Sequence, residues 1–469
     1  MNIKSIVLTA LIFISISSAT KAQLLNPGPE AAKLNALQQR FVDDRFGMFI
    51  HFNIPTYMNQ DWPDPEASPE LFNPKKLNAD QWAKAAKSAN MTYGCLTTKH
   101  HSGFCIWDTK STDYSVMNSP YKKDVVKQFA DAFRANGLKV MLYYSILDTH
   151  HKLRPNQITP DHIKMIKTQI TELLTKYGKI EALIIDGWDA PWSRISYDDV
   201  PFDDIYHLVK SLQPECLVMD LNGAKYPAEG LYYTDIKTYE MGAGQRMSAD
   251  AKRMPSLACL PINTSWFWKT DFPTVPVRDI DKLVSETIVP LNNNSCNFIL
   301  NVAPNRDGLI DQNAIDGLKK IGQLWKNDGA TVKLAPLDLP IISSNIALKQ
   351  AANSTWSNDM DIMDFANDDD YHTSWRSNPA VKQPWFELDF KNEKGFNAIV
   401  IAEQKANIKS YKLDYWDGAK WKELFKGENL SQIKVHRFDR VWGSKVRIQM
   451  ETYANTPSIA EFQVFNERR

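Results

Sequence analysis

Asp186 closes an apolar run, Ala182-Leu183-Ile184-Ile185, and is followed at once by Gly187. A carboxylate that emerges from a buried strand costs free energy unless it is paired or used. Its chemical uses at such a position are as a nucleophile or as the stabiliser of an oxocarbenium-like transition state; the competing use is as a cap for the next helix. Other reactive groups close similar runs: His51, His100 and His101, Tyr144, Ser145 and Asp148, and Glu240. Clustered imidazoles bind zinc or hydrogen-bond to sugar hydroxyls. The first run carries one histidine rather than a His-x-His pair, and adjacent His100 and His101 point to opposite faces of an extended chain. Sugar contact is therefore the favoured chemistry. His150 and His151, just beyond Asp148, fit a site loop or a surface loop equally well.

The elements that would position these groups read as alternating strands and helices from Arg45 to about Asp328. The strand-like runs are FGMFIHF, TYGCLTTKH, LKVMLYYSI, EALIIDGW, ECLVMDLN, YYTDIKTYE, LACLPI and CNFILNVAP. Between many of them lie helix-period segments: ADQWAKAAKSA, KKDVVKQFADAFRANG, DHIKMIKTQITELLTKYG, FDDIYHLVKSL and RDIDKLVSETIVPLN. Gly137 and Gly178 stand where two of these helices should stop. Eight strands with intervening helices predict an α/β fold, a (β/α)₈ TIM barrel. A doubly wound open sheet would want a glycine-rich phosphate turn near its start, and FGMFIHFNIPTY is not one. In a barrel the polar residues at C-terminal strand ends share one rim, so the groups named above should converge. After an extended stretch, VKLAPLDLP, short alternating runs recur (PWFELDF, NAIVIAE, SYKLDYWD, KWKELF, SKVRIQM, AEFQVF), the pattern of a β-sandwich. The expected division is a signal peptide over residues 1–22, a barrel over 23–335 and a sandwich over 336–469.

The chain has 469 residues, too many for one core. Its 55 basic and 55 acidic residues cancel, and neither sign forms a long run. That balance argues against a nucleic-acid or anionic-membrane partner. Fourteen tryptophans suit the packing of sugar C–H faces on indole rings, although ordinary cores use Trp too. Lys4, the apolar run Ile6–Ile16 and the small-x-small site Thr20-Lys21-Ala22 read as a secretory signal too short to span a bilayer. The expected location is periplasmic or extracellular, with the mature protein soluble. The five scattered cysteines read mostly as core thiols.

The stretch TTKHHSGFCIWDTKSTDYSV resembles the signature of glycoside hydrolase family 29, the retaining α-L-fucosidases. RFGMFIHF, LKVMLYYS, EALIIDG and CNFILNVAPNRDGLI follow in that family's order, and the likeness covers about residues 40–330. YYSILDTH and INTSWFWKTD resemble the subfamily that acts on branched α-1,3/1,4-linked fucose. The resemblance implies exo-acting release of terminal α-L-fucose through a covalent intermediate on Asp186. It further implies fucose contacts from His51, His100, His101 and Tyr144, with Asp61-Trp62 shaping the pocket; Asp148 is a substrate-binding candidate from its place just past the third strand. Trp188 and Trp192, from their position after Asp186, would wall the sugar's C5 methyl group. No cofactor is implied for catalysis, and the partner would be a fucosylated oligosaccharide or glycoconjugate. Two departures stand out. Ser102 replaces a usual carboxylate, and the acid/base glutamate expected before INTSWFW falls on Leu257. Glu240 is then the best acid/base by strand order, ahead of Asp235. The alternatives are a fucose- or galactose-binding or weakly active relative without the acid, or a glycosidase for another galacto-configured sugar. The C-terminal region resembles a discoidin-like carbohydrate-binding module of the family 32 type. That likeness implies a structural calcium near Asp368, Thr373 and Glu461, with Asp369 in place of a usual glycine.

Overall fold

The eight apolar runs form one parallel sheet, ordered β5-β4-β3-β2-β1-β8-β7-β6, in a computed structural model of the chain. It describes residues 29–466 apart from 189, 191, 223–232, 244, 246–253, 330–331, 335–344, 359–360 and 431–432. The expected signal peptide, and the expected domain boundary at 335/336, fall outside the described residues. The strands are β1 (Phe46–Ile50), β2 (Tyr93–Lys99), β3 (Lys139–Ser145), β4 (Ala182–Asp186), β5 (Leu217–Asp220), β6 (Lys237–Glu240), β7 (Ser256–Pro261) and β8 (Cys296–Asn301). They curl into a nearly closed barrel. β5 and β6 share no ladder; the residues just before β6 close the gap instead, with the Asp235 amide donating to the Val218 carbonyl (2.7 Å) and its carboxylate accepting from the Val218 amide (2.9 Å).

The helices are α1 (Pro29–Asp44), α2 (Ile54–Met58), α3 (Ala79–Ser88), α4 (Val125–Ala135), α5 (Pro160–Lys176), α6 (Phe202–Leu212), α7 (Ile280–Lys282), α8 (Val289–Asn292) and α9 (Gln312–Leu324), with a π-helical stretch Leu283–Ile288 joining α7 to α8. α4 begins at Asp124, whose carboxylate accepts the Lys127 amide at 2.8 Å, a standard N-cap. Gly137 and Gly178 close α4 and α5 with φ of 72° and 71°, the left-handed geometry expected of glycine at a helix end.

Strand periodicity sorts the barrel into two apolar regions. Phe49, Cys95, Met141, Ile184, Leu257 and Ile299 fill the lumen. Their neighbours Ile50, Leu96, Leu142, Ile185, Ala258 and Leu300 face outward and pack against the helices. All five cysteines are buried and unpaired. No helix among the described residues is long and apolar enough to cross a membrane.

The C-terminal domain is antiparallel: β9 (Ala351–Ser354), β10 (Trp375–Arg376), β11 (Trp385–Ala402), β12 (Ile408–Trp416), β13 (Trp421–Glu428), β14 (Ile433–Tyr453), β15 (Ser458–Ile459) and β16 (Glu461–Phe465). PWFELDF and NAIVIAE, read as separate strands, are one long β11, whose ladder with β14 slips between Asp389 and Lys394 and again between Phe396 and Ala398. Such bulges bend a strand and increase its twist. Ile399, Ile401 and Val464 fill this domain's own core. Ala398, Val400 and Phe465, on the opposite face of the same strands, join the barrel's outer cluster.

Candidate active site

A cavity of about 250 Å³ opens at the C-terminal rim of the barrel, lined among others by His51, Asp61, Trp62, His100, His101, Tyr143, Asp186, Trp192, Glu240 and Trp266. Asp186 ends β4 with lumen-facing parity, two residues beyond Ile184. Its Oδ2 accepts the Tyr143 hydroxyl at 2.5 Å, and its Oδ1 accepts the Asn222 carboxamide at 3.1 Å. His101 Nε2 lies 3.7 Å from Oδ2. Burial pushes the carboxyl up to about 6, against the hydrogen bonds from Tyr143, Asn222 and the Gly187 amide. Glu240 ends β6. Burial, followed by the facing charge of Asp186, pushes it up to about 7, and a hydrogen bond from Trp266 works in the other direction. Asp186 and Glu240 thus share one pocket in different environments, with Asp61 a third carboxyl on its lining.

The three imidazoles are neutral. His51 (Nδ1 to Asn301 Oδ1, 2.7 Å) is lowered by burial to about 4, and His101 (Nδ1 to Ser145 Oγ, 2.8 Å) to about 3. Burial also holds His100 well below its ordinary value, and its buried Nδ1 has no protein partner. A slip in the β2–β3 register between Thr97 and Lys99 explains how His100 reaches the cavity. The extra residue turns Lys99 outward and brings His100 back to the lumen side. Trp62 stacks on His101 (centroids 4.6 Å, 26°), and Trp192 meets both rings, which makes one wall aromatic. Trp266 and His51 (5.2 Å) form the facing wall. Asp61 is tied to the Ser265 hydroxyl (2.6 Å) and to Lys269 Nζ (3.0 Å). Burial raises its carboxyl, but those partners outweigh it and hold the group below the ordinary range.

Several expectations from sequence need correction. Tyr144 faces outward, where its hydroxyl meets Lys99 Nζ (3.0 Å) and Gln169 (2.6 Å); its neighbour Tyr143, of lumen parity, is the tyrosine at the cavity. Asp148 is fully buried behind the rim, paired with Lys99 (3.3 Å) and His151 (2.9 Å). A Cβ at Gly103 would meet its Oδ1 at 2.2 Å, so Asp148 packs under the histidine turn and not against the cavity. Trp188 is also fully buried, its indole donating to the Val200 carbonyl (2.8 Å), and of the two tryptophans only Trp192 lines the cavity. His150 stacks on Tyr114, and His151 bonds Thr112 and Asp148; neither is a lining residue. Asp235 is the staple between β5 and β6, held by Lys210 (2.7 Å) and Tyr206 (2.8 Å). Leu257 is the second residue of β7, deep in the lumen and far below the rim. Tyr143, Asn222 and Trp266 were not singled out from the sequence. Inward parity would have selected Tyr143; the other two sit on loops, where periodicity gives no signal.

In the C-terminal domain Asp368, Thr373 and Glu461 do come together. The Thr373 hydroxyl donates to Asp368 Oδ2 (2.9 Å), and the Asp370 amide joins Asp368 Oδ1 (3.0 Å) to Glu461 Oε1 (3.1 Å). Glu461 is fully buried and its Oε2 has no partner. Burial, followed by the charges of Asp369 and Asp368, pushes it up to about 8. No three His, Cys, Asp or Glu side chains converge as metal ligands among the described residues, and this group is two carboxyls and a hydroxyl.

Comparison with known proteins gives two family matches. A family model described as Alpha-L-fucosidase matches residues 56–330, and one described as F5/8 type C domain matches residues 349–462. The chain is similar to Alpha-L-fucosidase 1 of Arabidopsis thaliana, 25% identical across 97% of this chain and 91% of that protein. It is also similar to the plasma alpha-L-fucosidase of Rattus norvegicus, 25% identical across 67% of this chain and 74% of that one. Among solved structures, alpha-L-fucosidase isoenzyme 1 from Paenibacillus thiaminolyticus aligns with a TM-score of 0.55 at 23% identity, covering 90% of this chain and all of that one (100%). A glycoside hydrolase 29 family member from a rumen bacterium aligns with a TM-score of 0.52 at 23% identity, covering 92% of this chain and 77% of that one. At these identities the structural likeness is one of fold.

Proposed function

The chain belongs to the alpha-L-fucosidase family of glycoside hydrolases, and from that premise we propose that its barrel releases terminal α-L-fucose with retention, Asp186 being the nucleophile and Glu240 the acid/base. The observation that carries the reading is the pair of carboxyls in one pocket, one near 6 and held by three donors, the other near 7 and facing the first charge. Environments that separate two carboxyls in this way assign them base-like and acid-like roles. The Asp186 carboxylate attacks C1 while Glu240 gives its proton to the departing oxygen. Water then gives a proton back to Glu240, and its oxygen replaces the Asp186 ester at C1 with a second inversion. Three neutral imidazoles supply hydrogen bonds to ring hydroxyls, and Trp62, Trp192 and Trp266 supply apolar faces. A cavity of about 250 Å³ accommodates a single pyranose, which supports exo action on a chain end.

Asp186→Asn tests the nucleophile. Turnover of an aryl α-L-fucoside should fall by several orders of magnitude while L-fucose still binds, and wild-type rates in that variant would remove the assignment. A second reading, a sugar-binding or weakly active relative, is favoured by Leu257, which puts no carboxyl where the resemblance expects one. Release of fucose from a natural glycan by the wild-type chain decides against it.

Asp368, Thr373 and Glu461 would hold a structural calcium. The donors are hard oxygens, and an ion between them would offset the burial and the facing charges of Asp369 and Asp368 that hold the Glu461 carboxyl up at about 8. The composition of residues 1–22 supports export, with a periplasmic or extracellular location to be checked by fractionation.

A further inference from the structure

The hydrogen bond from Asn222 to Asp186 is itself held from behind. The Asn222 amide donates to Asp220 Oδ1 at 3.0 Å, and Asp220 Oδ2 accepts the Tyr197 hydroxyl at 2.5 Å. The Tyr197 ring lies face to face on Tyr233, with centroids 3.8 Å apart and planes within 5°. Tyr233 in turn presents an edge contact to Phe465 of the C-terminal domain at 6.4 Å. Phe465, Ala398 and Val400 belong to the same apolar cluster as Tyr197, Phe202 and Tyr233. The chain of contacts is buried throughout, with Asp220 at 0% and Asn222 at 4% exposure.

A brace is needed at this point because β5 lacks a strand partner on its β6 side. The Asp220 amide donates to the Thr234 hydroxyl (3.1 Å), and the Asp220 carbonyl accepts the Thr238 hydroxyl, so side chains join the Asp235–Val218 backbone hydrogen bond in doing what a ladder does elsewhere in the barrel. Asn222 lies two residues past the end of that strand and must present its carboxamide to Asp186 within hydrogen-bond range. A displacement of about 1 Å there is enough to degrade a reacting geometry. The Asp220 carboxylate fixes the turn by accepting from two directions at once.

We propose that Asp220 is a positioning residue for Asp186, and that the C-terminal domain braces it through Phe465, Tyr233 and Tyr197. This rests on the reading of Asp186 as nucleophile, and it gives the second domain a role in catalysis distinct from carrying a sugar site. Tyr197→Phe keeps the ring stack and removes one hydrogen bond. Its kcat on an aryl α-L-fucoside should fall on the order of tenfold or more, with KM and L-fucose affinity by calorimetry unchanged within about twofold. Phe465→Ala, in the other domain, should lower kcat in the same direction with the same unchanged affinity. A crystal structure of the Tyr197→Phe protein should show Asn222 Nδ2 out of hydrogen-bond range of Asp186 Oδ1. Wild-type kcat in both variants, or Asn222 unmoved in the crystal, overturns the brace. So does a parallel fall of kcat, L-fucose affinity and melting temperature, which would indicate general loss of fold. If the wild-type chain releases no fucose, the nucleophile reading fails by itself, and the position of Asn222 in the variant crystal still decides the brace.

Discussion

Replacing Glu240 by Gln removes the proton that the departing oxygen needs while keeping the size of the side chain. In the native pocket this carboxyl stands near 7 and Asp186 near 6, so the productive form, with Glu240 protonated and Asp186 ionised, prevails between those values. The two groups face each other, and the limbs of the pH profile therefore belong to the pair. Activity should be bell-shaped with a maximum near the midpoint, and at pH 9 should drop to the order of a hundredth of that maximum. General acid catalysis is worth about 10²- to 10⁴-fold, and the loss depends on how poor the leaving group is. Glu240→Gln should therefore lower kcat/KM on a fucosylated glycan by about 10²-fold or more. For an aryl fucoside whose phenol leaves readily, the first step should fall by less than about tenfold, and the basic limb should vanish from its profile. The assay is kcat/KM for both substrates across pH 4–10, in wild type and variant. Equal losses on the two substrates, or a basic limb that survives in the variant, would refute the assignment.

Tyr143→Phe removes a hydrogen bond that favours the Asp186 anion, so the acid limb should move above about 6 and activity at pH 5.5 should fall more than at pH 7; an unmoved limb in kcat/KM profiles would count against the contact. Trp62→Ala opens the exposed side of the aromatic wall, and should raise KM about tenfold with kcat and melting temperature nearly unchanged. Calcium should stabilise the C-terminal domain more at pH 8 than at pH 5. Glu461, raised to about 8, keeps its proton in the folded state where the unfolded chain has lost it, so without the ion stability declines as pH rises from about 4.5 to about 8. An ion that takes the ionised carboxylate offsets that loss, and calorimetry with and without chelator should show the largest calcium-dependent shift in melting temperature at the higher pH, absent in Glu461→Gln.

The barrel strands were legible because most are buried on both faces and so read as near-continuous apolar runs, often closed at the rim by a polar residue; β6, Lys237–Glu240, is the exception and was placed by its spacing from its neighbours. The same property hid the facing of side chains. In LKVMLYYS nothing in residue type separates Tyr143 from Tyr144, and only counting from Met141 and Ile184 puts one at the cavity and the other behind it. α1, α2 and α9 carry no such signal: α1 and α9 lie outside the strand–helix alternation, and α2 is a five-residue turn directly after β1. In the C-terminal domain, bulges within β11 interrupt the alternating pattern, so one bent strand read as two. Asn222 and Trp266 sit on loops after strands, where a side chain's direction is set by the turn and not by any period. The same limit applies to Asp148: a carboxylate at a strand end reads as functional, and here Lys99, turned outward by the β2 slip, makes it structural.

The proposed division of labour between Asp186 and Glu240 rests on what each strand end can offer. β4 is flanked by β3 and β5, and both neighbours send a donor to Asp186, Tyr143 from one and Asn222 from beyond the end of the other. Glu240 has the unpaired seam on one side and β7 on the other, where its register partner is Cys259, a group that offers it no charge. Trp266 donates a hydrogen bond to it, and the charge it faces is negative. Asp186 is therefore the better-stabilised anion of the pair, and Glu240 the better-stabilised acid. A carboxyl at Leu257 would sit on the far side of the lumen cluster, two residues below Cys259, and could not share the cavity. Among the described residues the cavity's other carboxyls are Glu240 at the end of β6 and Asp61, and Asp61 is held below the ordinary range by Ser265 and Lys269, so Glu240 is the one whose surroundings favour a retained proton.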